Sequence, residues 1–356
     1  MHRKIPFHPS ELKIAYEATP LFGPPQPIRS HPASMRENIQ AMFYEKDPYW
    51  FPTSAEMAMF VPDVYNNNLG RGSLDLPDGA LTRDAFGIDW QFVASAGGAI
   101  ERPGQAPLLA DANEWKDKIK FPDVDAWDWA GAVDATPPNM AQSLQTSLIN
   151  GFWFERLISF MSFMPAAMAL IDEEQQDAIK ELFEVTTDLG IKIVDKFVEY
   201  FPHMDGFNIH DDWGAQKNPF FSEQVARELF LPYMKELIGH IHAKGRYATL
   251  HSCGNIETRC NIFVEAGFDM WDPMPMNDTH KLYDDWGDKI VVAVVPDKFD
   301  PETTPEGEQR RRAREYCDRF SEKGKPAILG FYGAFAMTPA FLDELYEYSR
   351  KKYFAR

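Results

Sequence analysis

The stretch from Gly206 to Asn255 limits the folds open to this chain more than any other. It begins Gly-Phe-Asn-Ile-His-Asp-Asp-Trp-Gly-Ala-Gln and ends Arg-Tyr-Ala-Thr-Leu-His-Ser-Cys-Gly-Asn. Each end is a short β-like run that stops in side chains able to carry protons or bind metals. The first run stops in His210, Asp211 and Asp212, the second in His251 and Cys253. Between them, Ser222 can cap a helix whose apolar positions Val225, Leu229, Tyr233, Leu237 and Ile241 recur every four residues. Gly245 suits the left-handed position that closes such a helix. Strand, helix and strand in this length predict a βαβ unit with parallel neighbouring strands and a right-handed crossover. Parallel strands end at one rim of their sheet, where α/β folds carry their chemistry. Both clusters therefore face one cavity.

The remainder of the chain extends this pattern. From residue 146 onward, strand-like and helix-like segments alternate at least five times. Examples are a strand over 146–150, a long helix that Asp172 would cap with Gln175 as its capping-box partner, and strands over 289–295 and 326–331. That rhythm predicts a parallel α/β architecture, and 356 residues suit a single (β/α)₈ TIM barrel over 36–356. Residues 1–35, Pro-rich and without a period, read as an N-terminal arm lying over the domain or reaching a second copy in a homodimer. Phe86 to Val93 alternates like an exposed strand and is broken at residues 94–98, which predicts a β-hairpin insertion laid across the barrel.

Charge and cysteine usage narrow the function classes. A net charge of −18 disfavours nucleic acid, anionic membrane and substrates with many carboxylates. Three cysteines argue against a disulfide scaffold and for a reducing cytoplasm. No apolar run reaches the ~20 residues of a membrane span, and the amino terminus has no signal-peptide core.

Asp-Asp-Trp-Gly-x-Gln at 211–216, His-Ser-Cys-Gly-Asn at 251–255, Gly-Phe-Asp at 267–269 and Phe-Gly-Ile-Asp-Trp at 86–90 together resemble the uroporphyrinogen decarboxylase superfamily. The resemblance covers roughly residues 35–350 and implies a (β/α)₈ barrel with its active site at the C-terminal rim. Decarboxylases of that superfamily grip a porphyrinogen through an N-terminal Arg-Gln-Ala-Gly-Arg segment. The corresponding Tyr49–Met57 region has no arginine, the residue suited to bidentate carboxylate recognition. The resemblance then implies the other branch, cobamide-dependent methyltransferases of the O-demethylation type. These often bind zinc through His-x-Cys and a later Cys. His251 and Cys253 match the first two, but Tyr332 stands where the later Cys would fall.

The expected roles follow. His210, Asp211, Asp212, Glu155 and Tyr332 are candidate catalytic groups at strand ends, where paired carboxylates tend to have one raised pKa. Trp153, Trp213, Trp271 and Gln216 are candidate substrate contacts. His251 and Cys253 are candidate zinc ligands, since residues two apart in a strand point the same way, with Asp272 or His210 as a third. Asp211 and Asp212 could equally cap a helix, and the three tryptophans could equally be core. The chain has no Asp-x-His-x-x-Gly corrinoid-binding signature, so the cobamide would arrive on a separate corrinoid protein docking at the barrel mouth. The competing readings are a decarboxylase and a non-catalytic binder of small aromatic molecules.

Overall fold

The structure, a computed structural model, describes residues 5–18, 26–70, 76–96, 98–134 and 141–356. Parts of the expected N-terminal arm (1–4 and 19–25) and of the glycine-rich 62–83 segment (71–75) lie outside the described residues. The chain divides into two compact units, Met1–Met59 with Asn139–Gln145 and Phe268–Arg356, and Phe60–Pro138 with Thr146–Gly267.

The second unit contains the organising stretch. Its parallel strands are β1 (Ser143–Leu148, whose last three residues belong to this unit), β2 (Gly206–His210) and β3 (Tyr247–His251). β2 and β3 pair in strict register, with Asn208 opposite Thr249 and His210 opposite His251. The crossover between them is helical, as the sequence predicts. Ser222 accepts from the Val225 N–H, a π turn covers Ala226–Phe230, and a helix runs over Leu231–Ala243. Gly245, at φ +69°, ends it. Gly206 is required by packing, because a Cβ there would run into the Tyr247 ring on the neighbouring strand.

Three helices connect β1 to β2, of which α1 (Phe154–Met161) and the longest, α2 (Gln176–Tyr200), matter here; a short one over Phe163–Ala169 lies between them. α2 buries Ile179, Leu182, Phe183, Leu189, Ile193, Val194 and Phe197 along one stripe. Gly190 on that stripe lets the Phe152 ring approach to 3.0 Å of where a Cβ would sit. The expected Asp172 cap falls one turn early. Asp172 accepts from Glu174 N–H and Gln175 Nε2 within a preceding turn, and α2 begins only at Gln176.

The predicted hairpin is present and larger than expected. Leu81–Arg83, Asp89–Val93 and Gly98–Glu101 form a three-stranded antiparallel sheet. Buried Asp84 accepts from the N–H groups of Phe86 and Ile88, from Trp90 Nε1 and from Arg156 Nη1. Arg156 also donates to the Leu69 carbonyl and lies 4.9 Å from the Phe86 ring. This buried ion pair ties the antiparallel sheet to the first turn of α1.

The first unit is likewise α/β. Met270–Trp271, Val291–Ala293 and Lys325–Ile328 are parallel, and Ser321–Glu322 adds an antiparallel edge. Among the described residues the named strands follow an open order with two ends, not the expected closed ring of eight. Residues 49–53, just before the end strand Met57–Phe60, have most of their amides taken by side chains. There Asn38 takes the N–H groups of Tyr49 and Trp50, Ser349 takes that of Phe51, and Glu56 takes that of Thr53. These donors cannot join a ladder, so only a single parallel bridge, Thr53 to Leu329, is made. No helix among the described residues is long and apolar enough to cross a membrane.

The N-terminal segment is held to the last helix, Pro339–Phe354, by a buried charge pair. Glu11 accepts from Arg350 Nε at 2.9 Å and from the Tyr346 hydroxyl at 2.7 Å, and Arg350 also donates to the Ile5 carbonyl. Both partners are almost wholly buried. Removing one member of such a pair leaves an uncompensated buried charge. Arg350→Ala is expected to cost about 3–5 kcal/mol in urea unfolding; a loss below about 1 kcal/mol, the range of an exposed pair, would disprove the clamp.

Candidate functional site

The site is built where β1, β2 and β3 end. β1 is followed by Asn150 and Gly151, both at positive φ (+71° and +46°). A Cβ on residue 151 would lie 2.5 Å from the His210 carbonyl oxygen and 3.1 Å from an Asp211 carboxylate oxygen. Only glycine permits that approach. Asn150 is fully buried and donates to the Leu69 carbonyl, which fixes the turn. The close passage delivers the start of α1 to the end of β2.

Asp211, with no exposed surface, receives it. One carboxylate oxygen accepts from the Glu155 N–H at 2.8 Å, the other from the Phe154 N–H at 3.3 Å and from Trp213 Nε1 at 2.7 Å. Those first-turn amides have no partner within the helix and need one from outside. The Glu155 carboxylate then reaches His210, with Oε2 2.7 Å from Nδ1. The His210 and His251 rings are 4.9 Å apart, as their shared register requires. His251 Nε2 is 3.4 Å from Cys253 Sγ, and Asp212 Oδ1 accepts from the Cys253 N–H at 2.7 Å. The loops after β2 and β3 clasp one another: Trp213 N–H donates to Ser252 Oγ, and Asn255 N–H to the Ala215 carbonyl. Gly254, at φ +96°, lies against the Gly214 backbone, where no Cβ would fit.

Two groups here have displaced pKa values. Burial, joined by the charge of Glu155, pushes Asp211 up to about 7 against the opposing pull of its three donors. Burial, joined by His210, pushes His251 down to about 4. His251 is therefore a neutral ring at neutral pH, with a nitrogen lone pair to offer.

The structure brings together Glu155, His210, Asp211, Asp212, His251 and Cys253. His210, Asp212 and His251 present ligand atoms all within 4.8 Å of one another. Of the ligands expected from sequence, this group contains His251 and His210, the alternative third ligand; Asp212 joins them, and neither Cys253 nor Asp272 is in it. Asp272 belongs to the first unit, where its carboxyl lies against Gly330 and burial pushes it up to about 7. Tyr332, in a 3-10 turn over Phe331–Ala336, also belongs there. Trp153 and Trp213 are fully buried and hydrogen-bonded to Thr187 and Asp211, and Trp271 is fully buried in the first unit. Rings without exposed surface are packing residues in this conformation, not stacking platforms for a ligand. Gln216 lies exposed on the loop after β2.

Sequence reasoning missed Asp84 and Arg156, 72 residues apart, which carry no local signal. It also missed Ser147, Asn208 and Thr249. The last two were legible, because both strands alternate polar and apolar residues up to their terminal histidine.

A cavity of about 30 Å³ in the first unit, lined by Arg29, His31, Trp50 and Glu56 among others, has room for only one or two waters. Its Glu56 is already bonded to Asn38, Trp50 and Thr53. No reacting cluster of the kind at the β2 and β3 ends accompanies it.

No family model matches the chain, and no curated protein does. Among solved structures the fold is similar to a methyltransferase from Methanosarcina mazei, with a TM-score of 0.52 and 14% identity. The match covers 90% of this chain and 99% of that one. At that identity the likeness is one of fold.

The Asp211 carboxyl makes stability pH-dependent in a definite direction. Its folded pKa, about 7, lies above the ordinary value of 3.8, so the folded protein keeps a proton that the unfolded chain releases. The stability this contributes is complete below pH ~4 and lost as pH rises toward ~7. Asp211→Asn, with nothing to titrate there, should be less stable than wild type at pH 4.5, and the gap in urea midpoint should narrow by pH 7.5. A gap that widens with pH would mean the carboxylate is ionised in the fold.

Proposed function

We propose that the protein is a methyltransferase that takes a methyl group from a methoxylated aromatic substrate and passes it to the cob(I)alamin of a separate corrinoid protein. The observation that supports this most directly is the 2.7 Å contact between Glu155 and His210 at the mouth of parallel strands, beside His251, Asp212 and Cys253. The similar fold of a methyltransferase and the motif resemblance point the same way.

The chemistry requires such a pair. When the methyl carbon is attacked, the carbon–oxygen bond breaks and its electrons stay on the aryl oxygen. A phenolic oxygen has a pKa near ~10, so it leaves more readily when a proton arrives as the bond breaks. His210 is placed to deliver it. Glu155 holds Nδ1, orients the ring and stabilises the charge the ring carries while protonated. Asp211 acts one step back, fixing the turn that presents Glu155.

A divalent metal fits the same residues. Two imidazoles, a carboxylate and a nearby thiol form a donor set suited to zinc, His251 is kept neutral, and Glu155 on His210 is the outer carboxylate that commonly orients a ligating histidine. With Nδ1 bonded to Glu155, ligation by His210 would fall to Nε2, so a bound metal would take the place of proton delivery from that ring. Zinc there would supply Lewis acidity toward the ether oxygen. The corrinoid protein would dock over the strand ends to present the methyl acceptor.

The test is spectroscopic. Mixed with a reduced corrinoid protein and a panel of methoxylated aromatics, methylamines and methanol, the wild type should consume the cob(I) absorbance with methoxylated aromatics. Glu155→Gln should slow that loss by about 10²–10⁴-fold while leaving donor affinity nearly unchanged. No loss with any donor, using a corrinoid protein known to be active, would overturn the proposal and return the decarboxylase and binder readings.

A further inference from the structure

The strand faces that carry the two histidines continue inward as polar side chains. In a strand, residues two apart share a face. On the face of His210 and His251 the next row inward is Asn208 and Thr249, and the row beyond is Gly206 and Tyr247. Ser147 of β1 joins the middle row, with its hydroxyl donating to Asn208 Oδ1 at 3.2 Å while Asn208 Nδ2 donates to Thr249 Oγ1 at 2.9 Å. Parallel sheets of this kind normally fill such rows with branched apolar residues.

Thr249 is almost wholly covered, but the other two members of the row keep some exposed surface. Asn208 sits in the middle of β2 with strands on both sides, and its neighbours Phe207 and Ile209 have no exposed surface. Asn208 nevertheless keeps 8% of its surface exposed, and Ser147 keeps 5%. Neighbouring strands cover their edges, so that surface can be reached only from the face of the histidines. Below the row, the Tyr247 ring lies over Gly206 with no exposed surface and closes the floor.

Hydrogen-bond capacity defines what the row can take. An asparagine amide has two N–H donors and an oxygen with two lone pairs. Asn208 spends one donor on Thr249 and one lone pair on Ser147, so one of each remains. The row is uncharged, with no lysine or arginine to neutralise an anion. A group that both donates and accepts without charge, a hydroxyl above all, matches it, whereas an ionised carboxylate would be desolvated without a counter-charge. The row lies two residues below the histidines, a depth of ~6.6 Å, on the scale of a benzene ring with its substituents.

We infer that Ser147, Asn208 and Thr249 form a subsite for an uncharged hydroxyl on the substrate ring, across the ring from the methoxyl group that reacts beside His210 and Glu155. This rests on the methoxyaromatic reading above, and the test separates the two.

Binding of anisole, 4-methoxyphenol and 4-methoxybenzoate to the purified protein is measured calorimetrically with no corrinoid protein present. The wild type should bind 4-methoxyphenol roughly five- to tenfold more tightly than anisole, the effect of one well-made neutral hydrogen bond, and 4-methoxybenzoate most weakly. Asn208→Leu, of similar volume, should bind 4-methoxyphenol and anisole equally. Ser147→Ala and Thr249→Val should each shrink the preference, and they decide the matter if the leucine variant does not fold. Equal binding of anisole and 4-methoxyphenol by the wild type, a preference that survives all these substitutions, tightest binding of the benzoate, or no binding of any of the three would overturn the subsite. Because no methyl acceptor is present, failed methyl transfer alongside an Asn208-dependent preference would sink the methyltransferase reading and leave the subsite standing.

Discussion

The site depends on one buried carboxylate. Asp211 accepts hydrogen bonds from Phe154, Glu155 and Trp213, groups on two chain segments that it ties together. Without those acceptors the first turn of α1 would present unsatisfied amides to a buried environment, each costing about 1–3 kcal/mol. The same carboxylate has no exposed surface and Glu155 nearby, so burial and like charge oppose its ionisation. Geometry and electrostatics therefore conflict at this residue, and the fold resolves them by leaving the carboxyl near the midpoint of its titration at neutral pH. Asp211 is better placed to position Glu155 than to meet a ligand, although the sequence admits it equally as an acid.

Local regularities were legible in the sequence. Ser222, the apolar four-residue spacing and Gly245 mark the crossover helix because capping and helix closure are decided within a few residues. The parallel pairing of β2 and β3 followed from that helix, and with it the meeting of His210 and His251. The features that escaped were those settled by partners distant in sequence. Nothing near Tyr49–Thr53 shows that Asn38, Glu56 and Ser349 will claim its amides and leave it a single bridge, Thr53 to Leu329. Nothing near Asp84 announces Arg156. A tryptophan at a strand end reads the same whether it lines a pocket or fills the core, and Trp153, Trp213 and Trp271 are all core.

The candidate metal ligands show how far period-two reasoning reaches. It correctly set His251 and Cys253 on one side of a strand end, and their side chains are 3.4 Å apart. It did not select the carboxylate. Asp272 and Asp212 both follow a strand, and only the clasp between the loops after β2 and β3, fixed where Gly214 and Gly254 touch, turns Asp212 toward the histidines.

The two histidines are equivalent in register but not in environment, and that difference divides the labour between them. Desolvation and the neighbouring imidazole keep His251 neutral and leave it an electron-pair donor. His210 instead holds a carboxylate at 2.7 Å. Different environments can give two chemically identical groups different protonation states. The polar row beneath them extends the same economy, since Asn208 and Thr249 reach the cavity only because they share the alternation that brings His210 and His251 to its rim.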